Sequence, residues 1–571
     1  MDNTTFHEKD DICIVLCGAA GQGIQTVEKF ATHILKRAGY HVFATKEYMS
    51  RIRGGSNSTH IRISSKRVHA YVERIDILIP LDKEAIVHVK DRISPHTIIV
   101  GEKKKLGTSY PIIDVPFSTI AKEIGGLIYA NFIAIGILTG IFDVPSEMIE
   151  EYVARYFAKK SGDIIEKNII AVKKGRQISA DLIREHAISV NLMKDHTIQD
   201  ELLLNGAEAV GIGALAGGCN FIASYPMSPS TGVLVFLAQH AKDFNLITEQ
   251  AEDEISAINM ALGAWFAGAR ALVTTSGGGF ALMQEGVSLA GILETPVVIH
   301  LAQRPGPATG LPTRTEQADL QFALYSGHGE FPRIIFAPGT IEDAIRLTQK
   351  AFNYADKYQI PVFILTDQFF MDSYYNLPPD DIPITNVTHY FSETTGDYKR
   401  YRITENGVSP RGIPGYGSGV VIVDSDEHDE EGHLTEDLAL RSHMVEKRLR
   451  KLSSMTQEAV PPELIGEEEY TILIICWGST YGMVKEAVKR IGRNDISVLH
   501  FTQVYPLWEK TSSYIQKAQR IIIIEGNATS QFGKLLKLTF GIEAHDKILK
   551  YNGLPFSVEE IMERLKGLGI E

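Results

Sequence analysis

Cysteine is scarce in this 571-residue sequence, which contains only four: Cys13, Cys17, Cys219 and Cys476. None of them forms a Cys-x-x-Cys pair. Thiols so few and so scattered exclude a disulfide scaffold and indicate a reducing compartment. They also exclude a four-cysteine iron–sulfur cluster of ordinary ligand spacing within this chain.

Long apolar runs and basic clusters are missing as well. No apolar run approaches the ~20 residues that span a bilayer, and the N-terminal residues are polar and acidic, unlike a signal peptide. The formal net charge is −13, and no segment provides a basic face for phosphate groups. We therefore expect a cytoplasmic protein that binds neither membranes nor nucleic acids.

Strand-like and helix-like segments alternate along most of the chain. Hydrophobic residues make up 44% of the sequence and charged residues 22%, as in ordinary globular proteins. The alternation predicts α/β domains with parallel sheets. It predicts helices over residues 206–216 and 341–358, among others, and a polar linker over residues 189–199. Changes in composition predict an α/β domain over residues 1–188, a doubly wound domain over 200–384, an insert or linker over 385–465 and a C-terminal α/β domain over 466–571.

A proline-containing loop over residues 224–232, with the sequence SYPMSPSTG, is the most informative segment. Its two prolines, Pro226 and Pro229, exclude a helix interior or a central strand. A strand-like run precedes the loop and a helix-like run follows it. Ligands of α/β proteins usually bind at such a place, so we expect a binding loop here.

A group of carboxylates, Glu252, Asp253 and Glu254, heads the next predicted helix, which is otherwise apolar. Glu254 lies beside the apolar stripe, whereas Glu252 and Asp253 can face solvent. The alternative is that these acids only complement the helix dipole. A second polar loop over residues 274–280, TTSGGGF, follows the next strand, and two such loops beside a half-buried acid favour a site.

The segment from Arg304 to Thr313, RPGPATGLPT, contains three prolines and two glycines. Such a loop is rigid, so Arg304, Thr309 and Thr313 can point in the same direction. A guanidinium and two hydroxyls suit the capture of a carboxylate. A structural turn requires neither the arginine nor this rigidity, which favours a functional interpretation.

Three further motifs carry weaker signals. The glycine turn Gly18–Gly23 can bind phosphate at a helix N-terminus or can be a tight packing turn. Arg51 and Arg53 can bind an anion, or they can belong to a solvated basic loop. The acidic run Asp424–His433 contains two histidines and six carboxylates, for which a solvated loop is the preferred interpretation and a divalent-metal site the minority one.

Together these motifs resemble the alpha subunits of 2-oxoacid:ferredoxin oxidoreductases, in the form with the gamma domain fused ahead of alpha. The 2-oxoglutarate branch (2-oxoglutarate synthase) is the most similar. The resemblance covers essentially the whole chain and is carried by residues 225–231, 251–254, 275–280, 304–313, 317–330, 407–415 and 426–433. Met227-Ser228 departs from the usual Ile-Thr of the family loop, but Ser228 retains a hydroxyl group.

The resemblance implies three domain types: an N-terminal gamma-type domain, a pyrimidine-binding domain of thiamine diphosphate enzymes and a C-terminal transketolase-like domain. It also implies a glutamate that contacts the aminopyrimidine ring. Glu254 is the best match for that role and Glu252 the fallback. The implied site residues are Tyr225, Pro226, Glu254, Ser276 and Gly277 for the cofactor, and Ser228, Arg304, Thr309 and Thr313 for the substrate.

The resemblance further implies that this chain requires a partner. The Gly-Asp-Gly motif that holds Mg²⁺ and the diphosphate is absent from the sequence, as are cluster ligands. A beta subunit is therefore expected to supply Mg²⁺ and a [4Fe-4S] cluster in an α2β2 heterotetramer. No metal site is assigned to this chain. Thiamine diphosphate, coenzyme A and ferredoxin complete the expected set of cofactors and partners.

Several alternatives remain open. The substrate can be pyruvate or a branched-chain 2-oxoacid instead of 2-oxoglutarate, and Arg51, Arg53, Arg402 and Arg411 are unranked candidates for holding a distal carboxylate. A transketolase-like transferase or a decarboxylase half retains the cofactor without redox chemistry. A non-catalytic subunit that stabilises a partner or senses a ligand is the non-enzyme alternative.

Overall fold

The computed structural model describes residues 5–6, 10–19, 24–49, 55–185, 187–382 and 384–571. The chain divides into two compact units. The first contains residues 1–204 and 372–381, and the second contains residues 205–371 and 382–571. Both combine helices with β-sheets, which confirms the predicted α/β fold class.

The first unit contains an eight-stranded mixed sheet and a short two-stranded one. In spatial order, the strands of the larger sheet are Ile113–Asp114, Ile98–Gly101, Ile77–Pro80, Asp11–Ala19, Ser56–Ser64, His41–Glu47, Tyr374–Leu377 and Leu202–Asn205. The strand Asp11–Ala19 pairs parallel to Ile77–Pro80 but antiparallel to Ser56–Ser64. The prediction of a purely parallel sheet is therefore wrong for this unit.

Helices cover both faces of this sheet. The α-helices are Ile24–Arg37, Lys83–His88, Lys103–Leu106, Phe117–Ile124, Ala130–Ile141, Ser146–Tyr156 and Gly162–Arg184. The short 3₁₀ turns are Lys90–Arg92, Leu127–Tyr129, His196–Ile198 and Pro379–Asp381. Ile12, Ile14 and Leu16 point into the larger core, whereas Val15 and Cys17 point into a smaller one on the opposite face. This alternation follows from the two-residue period of a strand.

Two segments of the first unit differ from the predicted organisation. Within the linker predicted at residues 189–199, Ser189–Val190 forms a parallel strand with Thr5–Phe6. The strand Tyr374–Leu377, which the sequence places in the doubly wound domain, pairs antiparallel with His41–Glu47. This pairing depends on residues that are far apart in the sequence, so local patterns do not reveal it.

The second unit contains a seven-stranded and a five-stranded sheet. The spatial order of the first is Ile247–Gln250, Phe221–Ser224, Ala271–Thr275, Val297–Gln303, Pro361–Asp367, Ile334–Phe336 and Gln503–Tyr505. The order of the second is Glu463–Ile465, Ile496–Phe501, Ile472–Trp477, Arg520–Glu525 and Asp546–Leu549. Six adjacent strands of the larger sheet run parallel, and only Gln503–Tyr505 is antiparallel. Val297–Gln303 and Pro361–Asp367 are buried at every position, as expected for a parallel sheet covered on both faces.

The helices of the second unit follow the strands in the α/β order. They are Gly206–Ala216, Thr231–Gln239, Glu254–Phe266, Gly277–Leu282, Gln284–Ile292, Leu320–Leu324, Ile341–Tyr358, Leu438–Gln457, Tyr481–Ile491, Thr511–Ile515, Gln531–Phe540 and Val558–Gly567, with a 3₁₀ turn at Gly478–Thr480. The helix Gln368–Asp372 ends where the chain passes to the first unit. Among the described residues, no single helix is long and apolar enough to cross a membrane; Phe117–Ile124 and Leu127–Ile141 reach that length and composition only as a pair bent by 119°.

The helix Leu438–Gln457 lies inside the segment predicted as an insert or linker. Its buried residues include three cations, Lys447, Arg448 and Lys451. Lys447 and Lys451 both bind Glu294, at 2.5 and 2.6 Å. Because ion pairs rather than an apolar stripe hold this face, the sequence pattern does not predict the helix.

A buried ion triad holds another part of the second unit. Asp356 binds Arg270 at 3.1 Å and Arg411 at 2.6 Å, and all three side chains are almost fully buried. Removing one member of such a group leaves uncompensated charge in the interior.

We expect Asp356→Ala to lower the free energy of unfolding by about 3–5 kcal/mol, because two buried guanidinium groups then lack their shared counter-charge. Chemical denaturation of the purified chain measures the loss. The matched control is Asp243→Ala, which removes an exposed carboxylate and is expected to change stability by less than about 0.5 kcal/mol. A midpoint for Asp356→Ala equal to that of the control contradicts the prediction.

Candidate active site

Four loops of the second unit meet at one edge of its seven-stranded sheet. They follow the strands Phe221–Ser224, Ile247–Gln250, Ala271–Thr275 and Val297–Gln303, which are consecutive neighbours in the sheet. Because these strands are parallel, their carboxyl ends lie at the same edge. Ligands of open α/β sheets bind in this position. The loop at residues 225–230, the acid at position 254, the glycine turn at 276–279 and the loop from position 304 therefore belong to one region.

Glu254 is the first residue of its helix and is 3% exposed. Its neighbour Asp253 caps the helix, because the Asp253 carboxylate accepts a hydrogen bond from the Ser256 N–H at 2.7 Å. The Oε1 atom of Glu254 is buried and has no hydrogen-bond partner among the described residues. Burial raises the pKa of Glu254.

Glu252, the fallback for the same role, is exposed. The helix-dipole interpretation explains Asp253, which binds the helix N-terminus directly. It does not explain a carboxylate oxygen that is buried and has no partner, because such an atom carries an uncompensated desolvation cost. Glu254 is therefore the member of the acidic group that is suited to contact a ligand.

The glycine turn lies directly against this carboxylate. A Cβ atom on Gly279 would overlap the Glu254 Oε1 and Thr275 Oγ1 atoms. A Cβ atom on Gly277 would lie 2.6 Å from the Oδ2 atom of Asp319. Ser276 precedes the helix Gly277–Leu282 as its cap residue, yet its Oγ atom is buried and has no partner. The absence of side chains at these two glycines allows the Glu254 and Asp319 carboxyl groups to pack against the turn, in which only Gly278 is exposed.

Arg304 connects two of the predicted loops. Its Nη1 atom donates a hydrogen bond to the Ser228 carbonyl oxygen at 2.7 Å. Its Nε atom is buried without a partner, and burial lowers the pKa of its guanidinium group. One edge of the guanidinium therefore fixes the proline loop, while another donor has no acceptor in the part of the chain that the structure describes.

The other predicted site residues are more accessible. Tyr225 is 41% exposed, whereas Pro226 and Ser228 are half-buried. Thr313 is half-buried and Thr309 is exposed. In the described part of the chain, neither threonine hydroxyl makes a hydrogen bond. These residues are thus more accessible to solvent than the buried Arg304.

Asp319, which follows the Arg304 loop, is not among the site residues predicted from the sequence. Burial raises the pKa of Asp319 to about 7, and its Oδ2 atom is buried without a partner. Gln317, two residues earlier, is fixed by the Trp477 carbonyl oxygen and by the Gly526 N–H. The anchored segment places Asp319 against the glycine turn. The sequence signal was weak, because a single aspartate before a short helix is usually only a cap.

Two of the remaining candidate arginines have environments of their own. Arg411 belongs to the buried triad with Asp356, and Arg402 is exposed. Residues 20–23 of the Gly18–Gly23 turn, together with Arg51 and Arg53, lie outside the described residues.

The acidic run Asp424–His433 is organised by internal contacts. Glu427 binds Arg441 and Arg448, and the Asp429 carboxylate accepts hydrogen bonds from loop N–H groups. Within the described ranges, no group of three His, Cys, Asp or Glu side chains is arranged to hold a metal ion. These contacts give several charged side chains of the run a structural role.

A mainly apolar cavity of about 800 Å³ occurs in the first unit. Its lining includes Leu127, Ile128, Phe132 and Phe157. The unpartnered polar atoms of Glu254, Ser276, Arg304 and Asp319 all belong to the second unit. The cavity and these unpartnered polar atoms therefore belong to different units. We assign the candidate active site to the polar side chains, because catalysis requires reactive groups.

Comparison with known proteins agrees with this location. The family described as "Pyruvate flavodoxin/ferredoxin oxidoreductase, thiamine diP-bdg" matches residues 212–447, which include all the residues of the site. "Pyruvate ferredoxin/flavodoxin oxidoreductase" matches residues 13–178. A 2-oxoacid:ferredoxin oxidoreductase subunit alpha from Sulfolobus sp is 32% identical and covers 96% of each chain. This chain belongs to the 2-oxoacid:ferredoxin oxidoreductase alpha-subunit family.

Two further relatives have names that specify 2-oxoglutarate. The 2-oxoglutarate synthase subunit KorA from Archaeoglobus fulgidus is 34% identical over 57% of this chain and 88% of its own length. The solved 2-oxoglutarate:ferredoxin oxidoreductase from Magnetococcus marinus is 31% identical, with a TM-score of 0.91 over 98% of this chain and 100% of that one. The predicted family and the predicted enzyme class, an oxidoreductase of 2-oxoacids, are confirmed.

Proposed function

We propose that this alpha subunit takes part in the coenzyme A-dependent oxidative decarboxylation of 2-oxoglutarate to succinyl-CoA and CO2, with electrons passing to ferredoxin. The Magnetococcus marinus enzyme was solved with 2-oxoglutarate, coenzyme A and succinyl-CoA bound. That relative covers nearly the whole of this chain, which supports the same substrates here. The reaction can also run reductively, since the chain itself does not fix the direction.

The observation that carries the proposal is the unpartnered Oε1 atom of Glu254 beside the glycine turn. An aminopyrimidine ring needs a carboxyl group at one ring nitrogen and a flat, accessible surface around it. Glu254 provides the carboxyl group, and the exposed Gly278 of the turn provides backbone without a side chain. These residues therefore fit thiamine diphosphate, with Tyr225, Pro226 and Ser276 as further contacts.

Thiamine diphosphate, when bound, supplies the nucleophilic carbon and the electron sink that decarboxylation of a 2-oxoacid requires. Glu254 holds and moves a proton at its Oε1 atom, which burial keeps away from water. Arg304 offers its free Nε–H to the substrate carboxylate. Ser228, Thr309 and Thr313 offer hydroxyl groups to the 2-oxo and carboxylate oxygens on the open side.

We assign the remaining chemistry to a beta subunit, in an α2β2 assembly that reduces ferredoxin. All four cysteines of this chain are buried and free, and only Cys13 and Cys17 are close in the sequence, which supports a cluster located elsewhere. The lack of a Gly-Asp-Gly motif supports a beta-subunit site for Mg²⁺. Reduced cysteines also support a cytoplasmic location.

We also propose a type for each of the four domains. Residues 1–188 are a gamma-type domain, residues 200–384 a pyrimidine-binding domain, residues 385–465 an insert and residues 466–571 a transketolase-like C-terminal domain. The family matches at 13–178 and 212–447 support the types of the first two domains, and the second match extends into the proposed insert.

The deciding experiment measures coenzyme A-dependent viologen reduction by this chain co-expressed with its beta partner, comparing 2-oxoglutarate with pyruvate and a branched-chain 2-oxoacid. We expect turnover only with both chains and mainly with 2-oxoglutarate. Preference for another 2-oxoacid overturns the substrate and retains the redox class. No reduction by a complex that contains its cluster and thiamine diphosphate favours a non-redox transferase or a non-catalytic subunit.

A further inference from the structure

Asp319 has an environment that its local structure does not explain. It precedes the helix Leu320–Leu324, where an aspartate normally accepts a hydrogen bond from a helix N–H. Here the side chain makes no capping hydrogen bond. Its backbone N–H donates to the Gln303 side-chain oxygen at 2.9 Å, which fixes the main chain instead. The carboxyl group is therefore held in place but is not used by its own helix.

The carboxyl group points to the backbone of the glycine turn. Its Oδ2 and Oδ1 atoms lie 2.6 and 2.9 Å from the position that a Cβ atom on Gly277 would occupy. The Oδ2 atom is buried and has no partner within the described residues. A polar atom buried in this way is costly unless a ligand or a proton satisfies it.

Three charged groups surround the site of this carboxyl group. Arg304 favours the ionised form of Asp319, because its positive charge lowers the pKa of the aspartate. Burial, the largest effect, and the neighbouring Glu316 both raise it, to about 7. Glu254 lies on the other side of the glycine turn, against Gly279. Asp319 is therefore a carboxyl group of the site that loses its proton at a higher pH than an ordinary aspartate does.

We propose that Asp319 is a positioning residue of the substrate site, and that binding of the 2-oxoacid requires its carboxyl group to be protonated. This inference rests on the proposed function of Arg304 as the group that holds the substrate carboxylate. An ionised Asp319 competes for the same guanidinium and repels the incoming carboxylate. A protonated Asp319 leaves the positive charge of Arg304 to the substrate and can donate a hydrogen bond of its own.

The direction of the pH dependence follows from this arrangement. Below about pH 7 the aspartate is mostly protonated and the substrate site is competent. Above that pH the carboxylate forms, so the KM for 2-oxoglutarate rises. By linkage, substrate binding at alkaline pH takes up a proton.

The test measures the KM for 2-oxoglutarate from about pH 6 to about pH 8.5 in the co-expressed complex. We expect about a thirtyfold rise in KM for the natural sequence, because the protonated fraction of Asp319 falls by about that factor over this pH range. Asp319→Asn retains the shape and removes the titration, so its KM is expected to be nearly independent of pH. Glu316→Gln removes a neighbouring negative charge and is expected to move the rise to lower pH.

Binding of glutarate, measured by calorimetry in the same complexes, provides a readout that does not depend on turnover. We expect glutarate to bind with proton uptake at alkaline pH in the natural sequence and without it in Asp319→Asn. A KM and a glutarate affinity that do not change with pH, or a pH dependence that persists in Asp319→Asn, overturn the inference while the proposed function stands. Absence of any 2-oxoglutarate-dependent reduction overturns the proposed function itself, and glutarate binding still tests Asp319.

Discussion

Glu254→Gln is expected to lower the turnover number of the assembled enzyme by about 10²–10⁴-fold, the usual effect of losing a positioned acid–base group. Glutamine preserves the volume and one oxygen acceptor but cannot exchange a proton. The measurement is coenzyme A-dependent viologen reduction with 2-oxoglutarate at saturating substrate. Bound thiamine diphosphate is determined in the same preparation, so that loss of cofactor is distinguished from loss of proton transfer.

The matched control for this prediction is Glu252→Gln. Glu252 lies two residues earlier, carries the same functional group and is exposed. We expect it to retain activity within a factor of about two, because surface substitutions rarely change more than ~0.5 kcal/mol. If Glu252→Gln loses as much turnover as Glu254→Gln, or if Glu254→Gln retains most of its turnover, the assignment of the proton-transferring group is wrong.

The stability of the Glu254→Gln chain should change in the opposite direction to its activity. The pKa of Glu254 is raised in the folded chain, so its ionisation at neutral pH destabilises the fold. This cost grows as the pH rises from the ordinary carboxyl range through the folded pKa. A neutral glutamine avoids it, and we expect an equal or higher melting temperature at pH 7. A large loss of stability would indicate a structural role instead.

Arg304→Ala is expected to lower kcat/KM for 2-oxoglutarate by about 100-fold, or about 3 kcal/mol, because the substrate carboxylate loses a desolvated guanidinium partner. Arg304→Lys is expected to recover only part of this loss, since an ammonium group cannot bind the Ser228 carbonyl oxygen and a carboxylate with the geometry of a guanidinium. Steady-state kinetics with varied 2-oxoglutarate separate the effect on KM from that on kcat.

Rescue distinguishes a substrate contact from a purely structural one. Added guanidinium ion should restore part of the activity of Arg304→Ala if the missing group binds substrate. Arg490→Ala, which removes a partly exposed guanidinium paired with Glu486, is the control and should behave as the natural sequence does. Loss of activity that guanidinium does not rescue, together with a lower melting temperature, would instead assign Arg304 to holding the proline loop.

Elements with a strong local pattern were predicted with accurate bounds. The helices Gly206–Ala216 and Ile341–Tyr358 begin and end at the predicted residues. Their ends are encoded nearby: Asn205 and Thr340 accept hydrogen bonds from helix N–H groups, and Gln359 ends the second helix in a left-handed conformation. Such signals depend only on residues within a few positions of each other.

Site residues were predictable where the chemistry is concentrated in one loop. The position of Glu254 beside an apolar stripe favoured it over Glu252, and the structure buries the first and exposes the second. Asp319 gave no such signal, because its importance arises from its contact with Gly277, a residue forty-two positions earlier. The hydrogen bond between Arg304 and Ser228 likewise joins two loops whose proximity depends on the order of the strands.

The sequence by itself determined the α/β class, the family and the loops that carry the chemistry, because periodicity, prolines, glycines and motifs are local properties. Only the tertiary structure decided which carboxyl groups are buried without partners, that Arg411 belongs to an ion triad and that Leu438–Gln457 is a helix held by Glu294. Burial and charge pairing are set by residues distant in the sequence. Their energies therefore depend on the packed fold and not on the pattern around each residue.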